Sequence, residues 1–195
     1  MCLSKTDIKN AMTAEQIIID PLFPDALQPA SVDLHLGRKF LVFQQNNEPC
    51  VDPAKPINDL MREVVISDDH PHFMLFPKQF ALGVMYERTG VDLGHKGVLD
   101  GISSLGRLGT GIHVTASTLN PGNSLRMTLE LYNFLDRPVK LYHKMPVAQM
   151  SFFKLTTPLR EEDGYKGFYI DNDAPVASEY HKNFLPPKNS WMKFE

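Results

Sequence analysis

Two cysteines in 195 residues, Cys2 and Cys50, are too few and too far apart for a disulfide framework or a Cys-x-x-Cys metal motif. A reducing cytoplasm suits such a chain. No apolar run approaches the roughly 20 residues of a membrane span, and the N-terminus lacks the basic and apolar regions of a secretory leader. Positive charge is not in excess either. The formal net charge is -3, whereas non-specific nucleic-acid binding needs a basic surface. A cytoplasmic protein with neither membrane nor nucleic-acid partners is expected.

Punctuation is plentiful: 15 prolines and 12 glycines are spread along the chain. They divide it into many short elements, which indicates mainly β architecture. The length suits one domain over residues 1–195, with a core that needs no staples. From about residue 157 to 195 the composition turns charged and aromatic. This tail, with Tyr180, Phe184, Trp191 and Phe194, either covers a site or packs on the surface.

Ser4 and Asp7 outline a capping box for a helix whose buried face holds Leu3, Ile8, Ala11 and Met12. Ile17 to Ile19 is a short strand closed by Asp20-Pro21. Val32, Leu34 and Leu36 alternate with polar residues and lead into Phe40 to Phe43, as a hairpin or two consecutive strands. Gln44 to Asp69 is a polar excursion, with a short helix expected near Ile57 to Glu63. Asp68-Asp69-His70-Pro71-His72, which begins at its end, offers potential metal ligands but reads as a polar loop. Further strands are expected at Phe73–Phe76, Phe80–Tyr86, Val139–Tyr142 and Val147–Leu155.

Asp100 to Asn133 carries the chemistry. Ser103 to Arg107, SSLGR, has the hydroxyls, glycine and guanidinium of an anion-cradling loop. Ile112 to Ala116 is β-prone and is followed by the turn signal Asn120-Pro121-Gly122. His113, among apolar neighbours, reads as a hydrogen-bonded core histidine. Met127, Leu129 and Leu131 then alternate with Thr128, Glu130 and Tyr132. One face is apolar, and the other holds a carboxylate suited to general-base work.

In this order, Asp100-Gly101, Ser103-Ser104-Leu105, Arg107-Leu108-Gly109, His113-Val114-Thr115-Ala116, Pro121-Gly122 and Thr128-Leu129-Glu130 resemble the motifs of the dCTP deaminase branch of the dUTPase superfamily. Tyr132-Asn133, Gln28 to Leu34 with Leu36-Gly37, and Ala174 to Ser178 extend the resemblance over nearly the whole chain. It implies a distorted β-barrel, jelly-roll-like subunit with a short N-terminal helix, assembled as a homotrimer with sites between subunits. The implied reaction is hydrolytic deamination of dCTP to dUTP without zinc, with Mg²⁺ carried on the triphosphate. The sequence agrees on zinc, since it lacks the Cys-x-x-Cys of zinc deaminases.

Under the resemblance Glu130 activates water, while Ser103, Arg107 and the Ala116 carbonyl position it and stabilise charge. Ser104 and neighbouring amides hold phosphate oxygens, and Ile102, Leu105 and Gly106 join Ser104 in binding the substrate. Asn120, Thr128, Leu129, Tyr169 and Asn172 complete the nucleotide contacts. Several of these positions depart from the family pattern. Ile102 and Thr118 stand where arginines are usual, Phe168 replaces Lys, and Asn172 replaces Gln. Asn123 takes an aromatic position. Asn120 replaces the Asp that serves dUTPases as base, and an amide cannot accept that proton, which disfavours a diphosphatase or bifunctional activity. A nucleotide-binding trimer without catalysis is the alternative from a different class.

Overall fold

The computed structural model describes residues 1–186 and 188; Trp191 and Phe194 lie outside them. Helix α1 (Lys5–Thr13) opens the chain. Its capping box forms as the sequence indicates. Asp7 Oδ2 accepts from Ser4 N at 3.1 Å, and Ser4 Oγ accepts from Asp7 N at 3.4 Å. Leu3, Ile8 and Ala11 are buried, and Met12 packs against them.

Thirteen strands follow among the described residues: β1 (Ile17–Asp20), β2 (Val32–Phe43), β3 (Met61–Val65), β4 (His72–Leu75), β5 (Phe80–Met85), β6 (Arg88–Val91), β7 (His95–Gly101), β8 (Thr110–Gly111), β9 (Thr118–Leu119), β10 (Ser124–Leu125), β11 (Thr128–Asn133), β12 (Val139–Tyr142) and β13 (Pro146–Lys154). Helix α2 (Ser103–Arg107) separates β7 from β8. The main sheet runs β8-β11-β5-β2-β13-β7-β9 with β3 on β2, and it curls into a half-barrel. A three-stranded sheet, β1-β6-β10, and the pair β12-β4 complete the β structure. The mainly β expectation therefore holds.

Alternation sets the two faces of the main sheet. Leu129 and Leu131 of β11 are fully buried with Phe40 of β2 and Leu99 of β7 on the concave side. Each such side chain contributes about 1.5–3 kcal/mol of apolar burial. The opposite face carries two cross-strand rows. Glu63, Leu41, Leu82 and Glu130 are paired in register across β3, β2, β5 and β11. Beside them Met61 pairs with Phe43, Phe80 pairs with Tyr132, and the Phe43 and Phe80 rings lie 6.4 Å apart.

Four sequence expectations change. Val32 to Phe43 is one strand, irregular between Leu36 and Phe40. At Gly37 a Cβ would meet the Val84 carbonyl at 2.7 Å, so the strands approach too closely there for any other residue. The helix expected near Ile57 to Glu63 is a single 3₁₀ turn, Asn58–Leu60, because Met61 onward pairs with β2. SSLGR is the short helix α2 instead of a loop, anchored by buried Leu105 and by the Ile102 carbonyl, which accepts from Leu105 N and Gly106 N. Ile112 to Ala116 forms no strand, since the amides of Val114 to Ala116 bond a carboxylate.

Candidate active site

The outer face of the main sheet floors a cleft of about 520 Å³, within the usual range for small-molecule sites. Its floor is Leu82, Thr128 and Glu130. Phe43, Ile57, Met61 and Phe80 make one wall. Thr115 to Thr118, with Asn120 and Asn123, make the other. Tyr165, Tyr169, Val176 and Ser178 of the tail cover it.

Glu130 is held at one oxygen. Its Oε2 accepts from Val114 N and Thr115 N at 2.7 Å each, and from Ala116 N at 3.4 Å. Three successive amides close on a carboxylate as in an anion nest. This spends the donors that a strand over Ile112–Ala116 would have used. Among the described residues none donates a hydrogen bond to Oε1. The carboxylate is thus fixed in place with one oxygen left for a ligand.

Tail and core are joined along a line of bonds. Asn123, 5 % exposed, donates from Nδ2 to the Tyr169 carbonyl at 3.1 Å. The Tyr169 hydroxyl accepts from Glu179 N at 2.9 Å, and Thr128 Oγ1 accepts from Val176 N at 3.3 Å. Arg126 N donates to the Asn172 carbonyl at 2.7 Å. Arg88 pairs with Asp171 and, at 2.8 Å, with Asp173, which Arg126 also approaches at 3.5 Å.

Of the residues singled out in the sequence, Glu130, Ala116, Asn120, Thr128 and Tyr169 line this cleft. Ile102, Ser103, Ser104, Leu105, Gly106 and Arg107 do not. Ser103, Ser104, Gly106 and Arg107 are exposed on α2, and Ile102 packs against the core. Leu105 and Leu129 bury their side chains in the core, so each has only its main chain to offer a ligand. Asn172 acts through its carbonyl as part of the tail bonds. His113 departs from the satisfied core histidine expected: its Nδ1 is buried without a partner, and its Nε2 stands 3.9 Å from Asp100 Oδ1. Sequence reading missed the wall of Phe43, Ile57, Met61, Phe80 and Leu82. The alternation of Phe80 and Leu82 along β5 was its one available signal.

Among the described residues no helix is long and apolar enough to cross a membrane. Nor does any group of three or more His, Cys, Asp or Glu side chains among them converge as a metal site would.

The curled sheet, with a carboxylate-bearing cleft on its outer face, has the fold seen in a solved 2'-deoxycytidine 5'-triphosphate deaminase from Agrobacterium tumefaciens. That structure superposes with a TM-score of 0.60 at 21 % identity over 83 % of this chain, which spans 50 % of the Agrobacterium chain. Residues 2–155 match the dCTP deaminase-like family model, and the chain belongs to that family. A relative named "dCTP deaminase, dUMP-forming" from Bifidobacterium longum is 39 % identical over 94 % of this chain and 96 % of its own length. One of the same name from Methanopyrus kandleri is 39 % identical over 93 % and 97 %. A third, from Clavibacter michiganensis, is 37 % identical over 95 % and 93 %. These names give dUMP as the product, not the dUTP expected from the sequence.

Proposed function

We propose that the chain deaminates dCTP, with Glu130 as the general base. The observation that carries this reading is Glu130 itself, which lines the cleft and is fixed at Oε2 by three amides, with Oε1 left over for chemistry. Oε1 takes a proton from water as its oxygen attacks C4 of cytosine. The proton passes to the exocyclic amino group, the C4–N bond breaks, and ammonia leaves a uracil nucleotide. The Ala116 carbonyl and a hydroxyl–guanidinium pair, Ser103 and Arg107, hold the water and the developing charge. Mg²⁺ would arrive on the triphosphate and screen its charge.

Ser103 and Arg107 reach such a site only from another copy, because α2 does not border the cleft of its own chain. Leu108 and Phe134, linked through the bond from Phe134 N to the Gly109 carbonyl, are 57 % and 65 % exposed beside α2. An apolar surface adjoining catalytic groups fits a homotrimer with shared sites.

For the end product, the relatives' names favour dUMP, which requires diphosphate release in addition to deamination. Asn120 favours the second reading, dUTP, because an amide at the cleft cannot take a proton from a second water. Chromatography of nucleotides after incubation with dCTP and Mg²⁺ decides between them. Uracil nucleotide is expected from the wild type, and its loss by at least a thousandfold from a folded Glu130→Gln variant. Binding without turnover in the wild type, or near-normal activity in the variant, overturns the assignment.

A further inference from the structure

The cleft treats the two flanks of Glu130 differently. On one side stand Thr115, Ala116, Ser117 and Thr118, three of which carry hydroxyls. On the other, Leu82 is directly paired with Glu130 across the ladder, and Leu41 is paired with Leu82 in turn. Adjacent strands lie about 4.8 Å apart, so an apolar surface begins one strand from the carboxylate. Leu82, Met61 and Ile57, all under 10 % exposed, form a separate apolar cluster with Phe80 packed against it.

Cytosine is likewise two-sided around C4. N3 and O2 are hydrogen-bond acceptors that lose free energy unless paired, whereas C5 and C6 carry only hydrogen. With Glu130 at C4, the base has one orientation that satisfies both flanks: N3 and O2 toward the polar loop, C5 toward Leu82. An alkyl group on C5 then lies within contact range of an apolar wall that offers it no polar partner.

We propose that the Leu82–Met61–Ile57 flank is a subsite for a C5 substituent, and that the chain deaminates 5-methyl-dCTP as well as dCTP. This rests on the reading of Glu130 as the base. The step is the same hydrolysis. Water oxygen bonds to C4, the C4–N bond breaks, ammonia carries away the amino nitrogen, and a thymine nucleotide results without any redox partner. Selectivity lies in what C5 carries. A methyl is matched to the wall, while a hydroxymethyl leaves its hydroxyl against Leu82 with nothing to bond.

The test compares kcat/KM for dCTP, 5-methyl-dCTP and 5-hydroxymethyl-dCTP on the full chain. The methyl nucleotide is expected to match dCTP or exceed it by up to about fourfold, the ratio that one buried methyl supplies. The hydroxymethyl nucleotide is expected to fall at least about tenfold below the methyl one. A Met61→Trp variant, checked for a cooperative thermal transition, fills the flank and should lower the methyl-to-hydrogen ratio about tenfold. A methyl nucleotide more than tenfold poorer than dCTP in the wild type, or a ratio unmoved by Met61→Trp, overturns the subsite. If no nucleotide is turned over, the base assignment fails instead. Calorimetric affinities of the three nucleotides for Glu130→Gln then test the subsite by the same ratios, and absence of binding overturns both.

Discussion

At the scale of single residues, position on a strand separates chemistry from stability. Glu130 and Leu129 are neighbours in sequence, yet one faces the cleft and the other is fully buried. His143 shows how surroundings act on one titrating group. Burial holds its pKa below the ordinary histidine value of 6.5, and the charge of Arg38 pushes the same way; the Leu36 carbonyl, 3.2 Å from Nδ1, opposes them. A base with a depressed folded pKa binds fewer protons when folded than when unfolded. Its contribution to stability is complete above about pH 6.5 and is lost as pH falls from there through the folded value. The urea midpoint should therefore fall between pH 7.5 and 5.5, and His143→Gln should flatten that slope. A variant as pH-sensitive as the wild type would assign the slope to other groups.

Elements show what could be read in advance and what could not. The alternation of Thr128 to Asn133 announced β11 and the outward face of Glu130, because one strand's own residues settle that pattern. Ile112 to Ala116 misled: its residues are β-prone, but the amides of Val114, Thr115 and Ala116 go to Glu130, a partner 14 to 16 positions away. Nothing in the polar excursion disclosed that Ile57 and Met61 would wall a cleft, since pairing of β3 with β2 puts them there. The tail is held partly by exposed carboxylates. Asp171 and Asp173 are 75 % and 69 % exposed, so each ion pair contributes at most about 1 kcal/mol. Arg88→Ala should raise KM up to about fivefold and speed tryptic cleavage at Lys166. Unchanged proteolysis would show that Asn123 and the main-chain bonds hold the tail alone.

The whole molecule is legible as a mainly β fold from its punctuation and its two-residue periods, but Ser103 and Arg107 do not line the cleft that holds Glu130. Under the proposed trimer a second copy brings its cleft to exposed Ser103 and Arg107 on α2. Phe134→Glu places a charge on the apolar surface beside α2. It is expected to shift the sedimentation mass from trimer toward monomer and to reduce deamination at least a hundredfold, with the thermal transition of the separated chain still cooperative. Full activity in a monomeric variant would put every needed group in one chain and return α2 to a structural role.

The two rows on the outer face of the sheet carry a consequence for how such a protein diversifies. Phe80 and Leu82 alternate with Ala81 and Gly83, which look inward, and the same backbone hydrogen bonds hold both sets. Exchange of an outward side chain alters what the cleft accepts and leaves the opposite layer intact. Substrate range can therefore drift by single substitutions along β5 and β3, with the fold acting as a fixed frame behind a replaceable facing.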